Sequence, residues 1–167
     1  MALTAGAGPA SNILLALICI PALAITIRFV VSDFHEMYPY GDLSNIREYL
    51  FLGAVGLTRD MSSVEQFSEI TKFSIGQVFL LTLLGRMVII NIGLAIFNLL
   101  PFGPLDGASI MRGFLPSNLV QDFDKIQPFL TILILVLFFT GYIGVILGPL
   151  FSVAINYLIV PWSRLFL

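Results

Sequence analysis

Long apolar runs separated by polar connections dominate this chain of 167 residues. A bilayer span needs about 20 mainly apolar residues. Three segments meet that length, at about residues 3–31, 74–100 and 128–147, and a shorter fourth covers roughly residues 150–167. We expect the break between the last two at the Gly-Pro pair of residues 148–149. The pattern predicts an all-α, polytopic membrane helical bundle with about four transmembrane segments.

One long polar connection, residues 32–73, separates the first two predicted spans and holds most of the acidic residues. A shorter apolar stretch at residues 49–57 interrupts it and is too short to cross a bilayer. We expect that stretch to be an interfacial or re-entrant piece packed on the spans. Since the sequence has no internal repeat, we expect a single membrane domain over residues 1–167.

Composition supports a membrane location and excludes some classes of function. Hydrophobic residues make up 58% of the chain, the mean hydropathy is +1.00, and eight Lys+Arg stand against ten Asp+Glu. The net charge of −2 gives no basic surface, which argues against a nucleic-acid partner. The single cysteine, Cys19, excludes an internal disulfide. We expect a multi-pass integral protein of the cell membrane, surrounded by membrane lipid.

A carboxylate at the end of the second predicted span is the main candidate for chemistry. Asp106 follows Pro101 and Pro104, and prolines interrupt a helix because they lack an N–H donor. An ionisable group at membrane depth costs about 2.5–3.5 kcal/mol on insertion scales, so it indicates a functional site. The alternative is that Asp106 caps a helix starting near Ala108, since aspartate favours that position.

Four more polar residues have possible structural roles beside functional ones. Asn91 and Asn98 lie in the second span, where interhelical hydrogen bonds are common; we favour that role for Asn91 and leave both roles open for Asn98. Arg86, near the middle of the same span, needs an acidic partner or a wet cavity. His35 is expected to be a solvated loop residue.

Three motifs together resemble the site-2 protease family of zinc intramembrane metalloproteases. The first is Ala-Gly-Pro-Ala-Ser-Asn at residues 7–12, which opens a membrane helix. The second is Asn-x-x-Pro-x-x-Pro-Leu-Asp-Gly at residues 98–107, and the third combines Phe-Thr-Gly at 139–141 with Leu-Gly-Pro-Leu at 147–150. The resemblance extends over essentially the whole chain, and the second motif is the most specific.

This resemblance implies a zinc site that cleaves a membrane-embedded protein substrate. In the family, a His-Glu-x-x-His helix supplies two zinc-binding histidines and a general-base glutamate, and the Leu-Asp-Gly aspartate supplies the third ligand, here Asp106. A zinc ion with three protein ligands keeps a position for water and lowers that water's pKa to about 7. Asn98 would help orient the substrate or the site.

The chain departs from the family pattern because it contains no His-Glu-x-x-His. The nearest string, at residues 35–39, has Pro39 where the second histidine belongs, and we expect it in a polar loop. The chain therefore resembles the C-terminal part of a family member, and we expect the two histidines and the catalytic glutamate upstream. Four explanations are open: the sequence was truncated, its translation begins at an earlier codon, another chain supplies these residues, or the protein has lost them.

Two classes of function follow from these observations. The first is an intramembrane zinc protease in which Asp106 is one ligand, although the chain by itself is expected to bind zinc weakly and to be inactive. The second is a non-catalytic membrane module, either a pseudoprotease or a small transporter in which Asp106 binds an ion or proton. For either, we expect an inward-facing Asp106 and close packing of Gly6, Gly8, Pro9 and Asn12.

Overall fold

The computed structural model describes residues 2–37, 44–55, 74–161 and 165, and these are helical almost throughout. The described residues contain no β-strand, so the all-α prediction is confirmed. Within the described ranges, six α-helices and one π-helical turn follow in chain order: α1 Ala2–Met37, α2 Ser44–Val55, α3 Ile75–Asn98, α4 Asp106–Phe114, α5 Ser117–Phe139, α6 Ile143–Ala154 and the π-helical turn Ile155–Ile159.

Two of these helices are long and apolar enough to cross a membrane by themselves. They are the 28 residues Thr4–Val31 of α1 and the 24 residues Ile75–Asn98 of α3. At a rise of about 1.5 Å per residue, 24 residues extend roughly 36 Å, which exceeds the hydrocarbon thickness of about 30 Å. A third span is possible only if a bent pair of helical segments is taken together. The two segments are Ser117–Phe139 and Ile143–Ile159, and the bend between them is 88°.

The predicted boundaries of the third and fourth segments were wrong. The helix predicted to begin near residue 128 begins at Ser117, and Pro128 lies inside it. The break falls at Gly141, whose φ of 79° is a left-handed conformation that glycine adopts without steric cost. Pro149 likewise lies inside a helix, α6, and prolines are tolerated within membrane helices.

Another correction concerns the connection after the first span. Helix α1 continues to Met37, so the backbone of His35 is helical and does not lie in the predicted loop. The apolar stretch predicted at residues 49–57 is part of α2, which the structure describes to Val55. A Cβ built on Gly85 of α3 would overlap the backbone of Ala54, so α2 and α3 are in backbone contact there.

The chain divides into two compact units, each with its own packing. One consists of Leu15–Ile90 and Ile155–Leu167, and its fully buried side chains include Ile20, Leu50 and Phe51. The other consists of Met1–Leu14 and Asn91–Ala154, and it contains the proline-rich segment and Asp106. The site can therefore be described within this second unit alone, and the single membrane domain stays a prediction.

Candidate functional site

The segment between α3 and α4 has an irregular backbone, as predicted from its two prolines. Helix α3 ends at Asn98, and α4 begins at Asp106. Residues that precede proline avoid the helical region, which stops α3 before Pro101. Leu105 is extended, with φ −77° and ψ 157°, directly before the carboxylate. The peptide bond between Gly103 and the proline that follows it is cis.

Hydrogen bonds within this segment fold it into successive tight turns. Phe102 N donates to the Leu100 carbonyl at 2.8 Å, and Leu105 N donates to the Phe102 carbonyl at 2.9 Å. Leu100 N donates in turn to Phe97 O of α3 at 3.1 Å. Because buried backbone groups need partners, these bonds satisfy three of the donors that the chain presents as it leaves α3.

Helix α5 contributes two polar side chains that contact the same segment. Gly103 N donates to Gln127 Oε1 at 2.5 Å, and Gln127 Nε2 lies 3.5 Å from Pro101 O. Thr131 Oγ1 lies within hydrogen-bond reach of two carbonyls, Gly103 O and, at 2.9 Å, Gln127 O. The segment is therefore bonded to α5 on both sides of Phe102.

Glycine at position 107 lets α4 begin close to the end of α3. A Cβ built on Gly107 would overlap the backbone carbonyls of Leu99 and Leu100. Gly107 is buried, and these are backbone atoms, which cannot rotate away as a side chain can. A residue with a side chain at this position would displace the first turn of α4 and, with it, Asp106.

Asp106 is the first residue of α4 and is half-buried. The capping interpretation was wrong, because the helix begins at Asp106 and not near Ala108, Leu105 occupies the N-cap position, and no side chain caps the helix. A carboxylate in the first turn is stabilised by the helix dipole. Among the described residues, the Asp106 carboxylate has no hydrogen-bond or ion-pair partner.

Gly8 of α1 lies directly against the Asp106 carboxylate. A Cβ built on Gly8 would overlap Asp106 Oδ2 and lie 3.3 Å from Asp106 Cγ. Pro9 is buried and Asn12 half-buried, whereas a Cβ on Gly6 would meet nothing within 4 Å. We predicted that the small residues of α1 pack against the second long helix or the Leu-Asp-Gly turn, and this prediction is confirmed at Gly8, which lies against the turn, and wrong for Gly6.

The remaining predicted polar residues lie on helices other than α4. Asn98 is the last residue of α3 and is half-buried, so it lies one irregular segment before Asp106, as the sequence predicts. Asn91 and Arg86 are half-buried on α3, and each has an interaction partner. The side chain of His35 lies outside the described residues.

Asp106 fits the role of one metal ligand, but the described residues do not form a complete zinc site. A half-buried carboxylate with no partner in the described ranges offers an oxygen donor suited to a divalent cation. Among the described residues, no group of three or more His, Cys, Asp and Glu side chains lies close enough to hold a metal. A three-ligand zinc site at Asp106 therefore needs at least one ligand from outside the described part of the chain.

Sequence reasoning missed two residues of this site. Gln127 and Thr131 both contact the proline-rich segment, yet neither was singled out. Gln127 and Thr131 are four positions apart and so lie on one face of a helix. Two polar residues on one face of an apolar helix were the available signal, but residue 127 lay just outside the predicted third span.

Comparison with known protein families gives a match. The family model described as Peptidase family M50 matches residues 1–140 of the chain. No curated protein and no solved structure matches it. The family is membrane-embedded and its members are zinc-dependent metalloproteases. The match includes Gly8, Asn98, the proline-rich segment and Asp106, and it covers far more than half of the sequence, so the chain belongs to peptidase family M50, the site-2 protease family.

Proposed function

We propose that this chain is part of an intramembrane zinc metalloprotease of the site-2 protease type and supplies Asp106 as one zinc ligand. The observation that carries the proposal is the position of that carboxylate. It is half-buried at the start of α4, lies against Gly8 and has no partner among the described residues. A carboxylate at membrane depth is costly unless a cation or another partner neutralises it.

The residues of this chain would bind and orient, and the chemistry at the peptide bond would come from the metal. When bound, zinc supplies a Lewis acid and activates water for attack on a peptide carbonyl. Asp106 would hold the ion through a carboxylate oxygen. Asn98, at the end of α3, would orient the substrate chain beside it. The two histidine ligands and the general-base glutamate would come from a His-Glu-x-x-His helix outside this sequence.

The proposed substrate is a protein segment embedded in the membrane, most simply the cell membrane. A peptide bond inside a helix is hydrogen-bonded within that helix and shielded from attack. The substrate must therefore unwind locally, and helix-breaking residues near the cut are expected to increase cleavage. This requirement distinguishes an intramembrane protease from a soluble one, whose substrates are already extended.

A non-catalytic membrane module is the second candidate. The observation in its favour is that the sequence contains a single histidine, His35, and no His-Glu-x-x-His. In that case the chain would hold client helices, or Asp106 would bind an ion or proton during transport. The two candidates differ in one measurable property, because only the protease needs Asp106 for both zinc binding and peptide-bond cleavage.

Replacement of Asp106 tests the proposed function. The chain is first joined to an upstream helix carrying His-Glu-x-x-His, which gives what we call the joined protein. It is expected to hold about one zinc ion per chain and to cleave a membrane-embedded reporter. Asp106→Ala is expected to abolish cleavage and reduce the zinc content, whereas Asp106→Glu keeps a carboxylate and is expected to retain part of both.

Asp122→Ala is the matched control, because it removes a carboxylate that is exposed on α5 and paired with Lys125. This variant is expected to keep full activity and zinc content. Full cleavage and unchanged zinc in Asp106→Ala would exclude Asp106 from the metal site. A joined protein that neither binds zinc nor cleaves the reporter would favour the non-catalytic module.

A further inference from the structure

Two side chains of α5 hold the backbone that leads into Asp106. Gln127 and Thr131 are one helical turn apart and both bond to the turn of residues 101–104, here called the proline turn. Neither can ligate zinc through a charged group, and neither was needed for the proposed chemistry. Their bonds nevertheless join segments that are 24 and 28 residues apart in the sequence.

The backbone N–H donors of the segment show why these bonds matter. The two prolines of the segment have no N–H to donate. Most of the remaining donors bond to carbonyls of α3 or of the segment itself: those of Leu99, Leu100, Phe102 and Leu105. The last donor is Gly103 N, and it donates to Gln127 Oε1. A helix side chain thus completes what the local backbone cannot satisfy.

Two carbonyl acceptors of the proline turn also bond to side chains of α5. Gln127 Nε2 lies within reach of Pro101 O, and Thr131 Oγ1 donates to Gly103 O. A Cβ built on Gly103 would lie 3.2 Å from Gln127 Oε1, so glycine gives this amide room to approach. In apolar surroundings an unsatisfied backbone group is costly, and losing either side chain would force the turn to move.

We infer that Gln127 and Thr131 are positioning residues for Asp106: they fix the proline turn from α5 and thereby fix the carboxylate that begins α4. Only two residues separate Gly103 from Asp106. A displacement of the turn therefore passes directly to the start of the helix. This inference rests on the proposed role of Asp106 as a zinc ligand, and its test is designed to be independent of zinc.

The test uses the chain in micelles, with 13C at the aspartate side-chain carboxyls and 15N in the backbone. Asp106→Asn assigns the Asp106 carboxyl resonance, and the Asp122 and Asp124 resonances report on the fold of α5. In Gln127→Leu, hydrogen exchange at the Gly103 amide is expected to rise about tenfold, as for one lost hydrogen bond, and the Asp106 resonance is expected to shift.

Isosteric and conservative variants separate positioning from general stability. Thr131→Val removes the hydroxyl at constant size and is expected to shift the Asp106 resonance, whereas Thr131→Ser keeps the hydroxyl and is expected to restore it. Gln127→Glu keeps an acceptor for Gly103 N but loses the donor to Pro101 O, so exchange at the Gly103 amide is expected to stay near the parent rate. The matched controls are Thr140→Val, whose hydroxyl bonds to Val136 O, and Gln121→Leu at an exposed position.

Two results would overturn the inference. The first is an unchanged Asp106 resonance in both Gln127→Leu and Thr131→Val while the Asp122 and Asp124 resonances of the folded chain persist. The second is unchanged exchange at the Gly103 amide in Gln127→Leu. Neither outcome depends on metal, so failure of the positioning role is distinguishable from failure of the proposed protease function, which Asp106→Ala tests.

Discussion

Replacement of Gly8 by alanine tests the contact on which the geometry of the site depends. The new Cβ would overlap Asp106 Oδ2, so the carboxylate has to move by about 1 Å to reach van der Waals distance. The overlapping atom is the end of a side chain and can rotate away, so we expect the fold to be kept. Gly6→Ala is the matched control on the same helix, because its Cβ meets nothing within 4 Å.

The free energies of unfolding expected for Gly8→Ala and Gly6→Ala differ by the cost of moving the carboxylate. Alanine is favoured over glycine in a helix by about 0.8–1.0 kcal/mol, and this gain applies to both positions. A side chain forced away from its rotamer costs about 0.5–1.5 kcal/mol. Gly6→Ala is therefore expected to stabilise the chain, whereas Gly8→Ala is expected to leave the free energy of unfolding within about 1 kcal/mol of the parent.

Function is expected to respond much more strongly than stability. In catalytic sites a misplacement of about 1 Å can reduce the rate by roughly 10²-fold. In the joined protein we expect Gly8→Ala to lower cleavage by about that factor and to weaken zinc binding, while Gly6→Ala retains both. Denaturant titration in micelles measures the stability. Equal cleavage by the two variants would refute the reasoning, because it would mean that the carboxylate does not depend on Gly8.

Two further predictions concern glycines whose positions require the absence of a side chain. Gly107→Ala is expected to destabilise the chain by about 1–3 kcal/mol in denaturant titration, since its Cβ would overlap backbone carbonyls that cannot rotate away. Gly141→Ala is expected to cost about 1–2 kcal/mol because φ is 79° there. Gly144→Ala is the control for both, because nothing lies within 4 Å of its Cβ. Equal free energies of unfolding for the three variants would exclude the close approach at Gly107 and the turn at Gly141.

The two long helices could be predicted from the sequence, but the bend after α5 could not. An apolar run of the right length determines a membrane helix almost by itself, and this applies to α1 and α3. The bend depends on the backbone conformation of Gly141, one of 14 glycines in the chain. Pro128 and Pro149 were taken as helix boundaries, although both lie inside helices.

The sequence predicts those residues of the site whose role follows from a short motif, and it does not predict those that act through distant contacts. Asp106 stands out because a charge that follows two prolines at the end of an apolar run is too costly to be kept there without a role. The contact of Gly8 with it was expected from a small-residue motif. Gln127 and Thr131 were missed because their partners lie 24 and 28 residues away, and no local pattern specifies contacts of that range.

The position of Asp106 must come from its neighbours, because its own carboxylate has no bonding partner among the described residues. Gly107 lets α4 begin close to the end of α3, and Gly8 limits where the carboxylate can lie. Gln127 fixes the proline turn that precedes Asp106. None of these residues carries a charge. A metal ligand has to be held within about 0.5 Å of its working geometry. For the proposed role of Asp106 as a zinc ligand, it follows that a change at any of the three is expected to weaken zinc binding by the joined protein although its aspartate is kept.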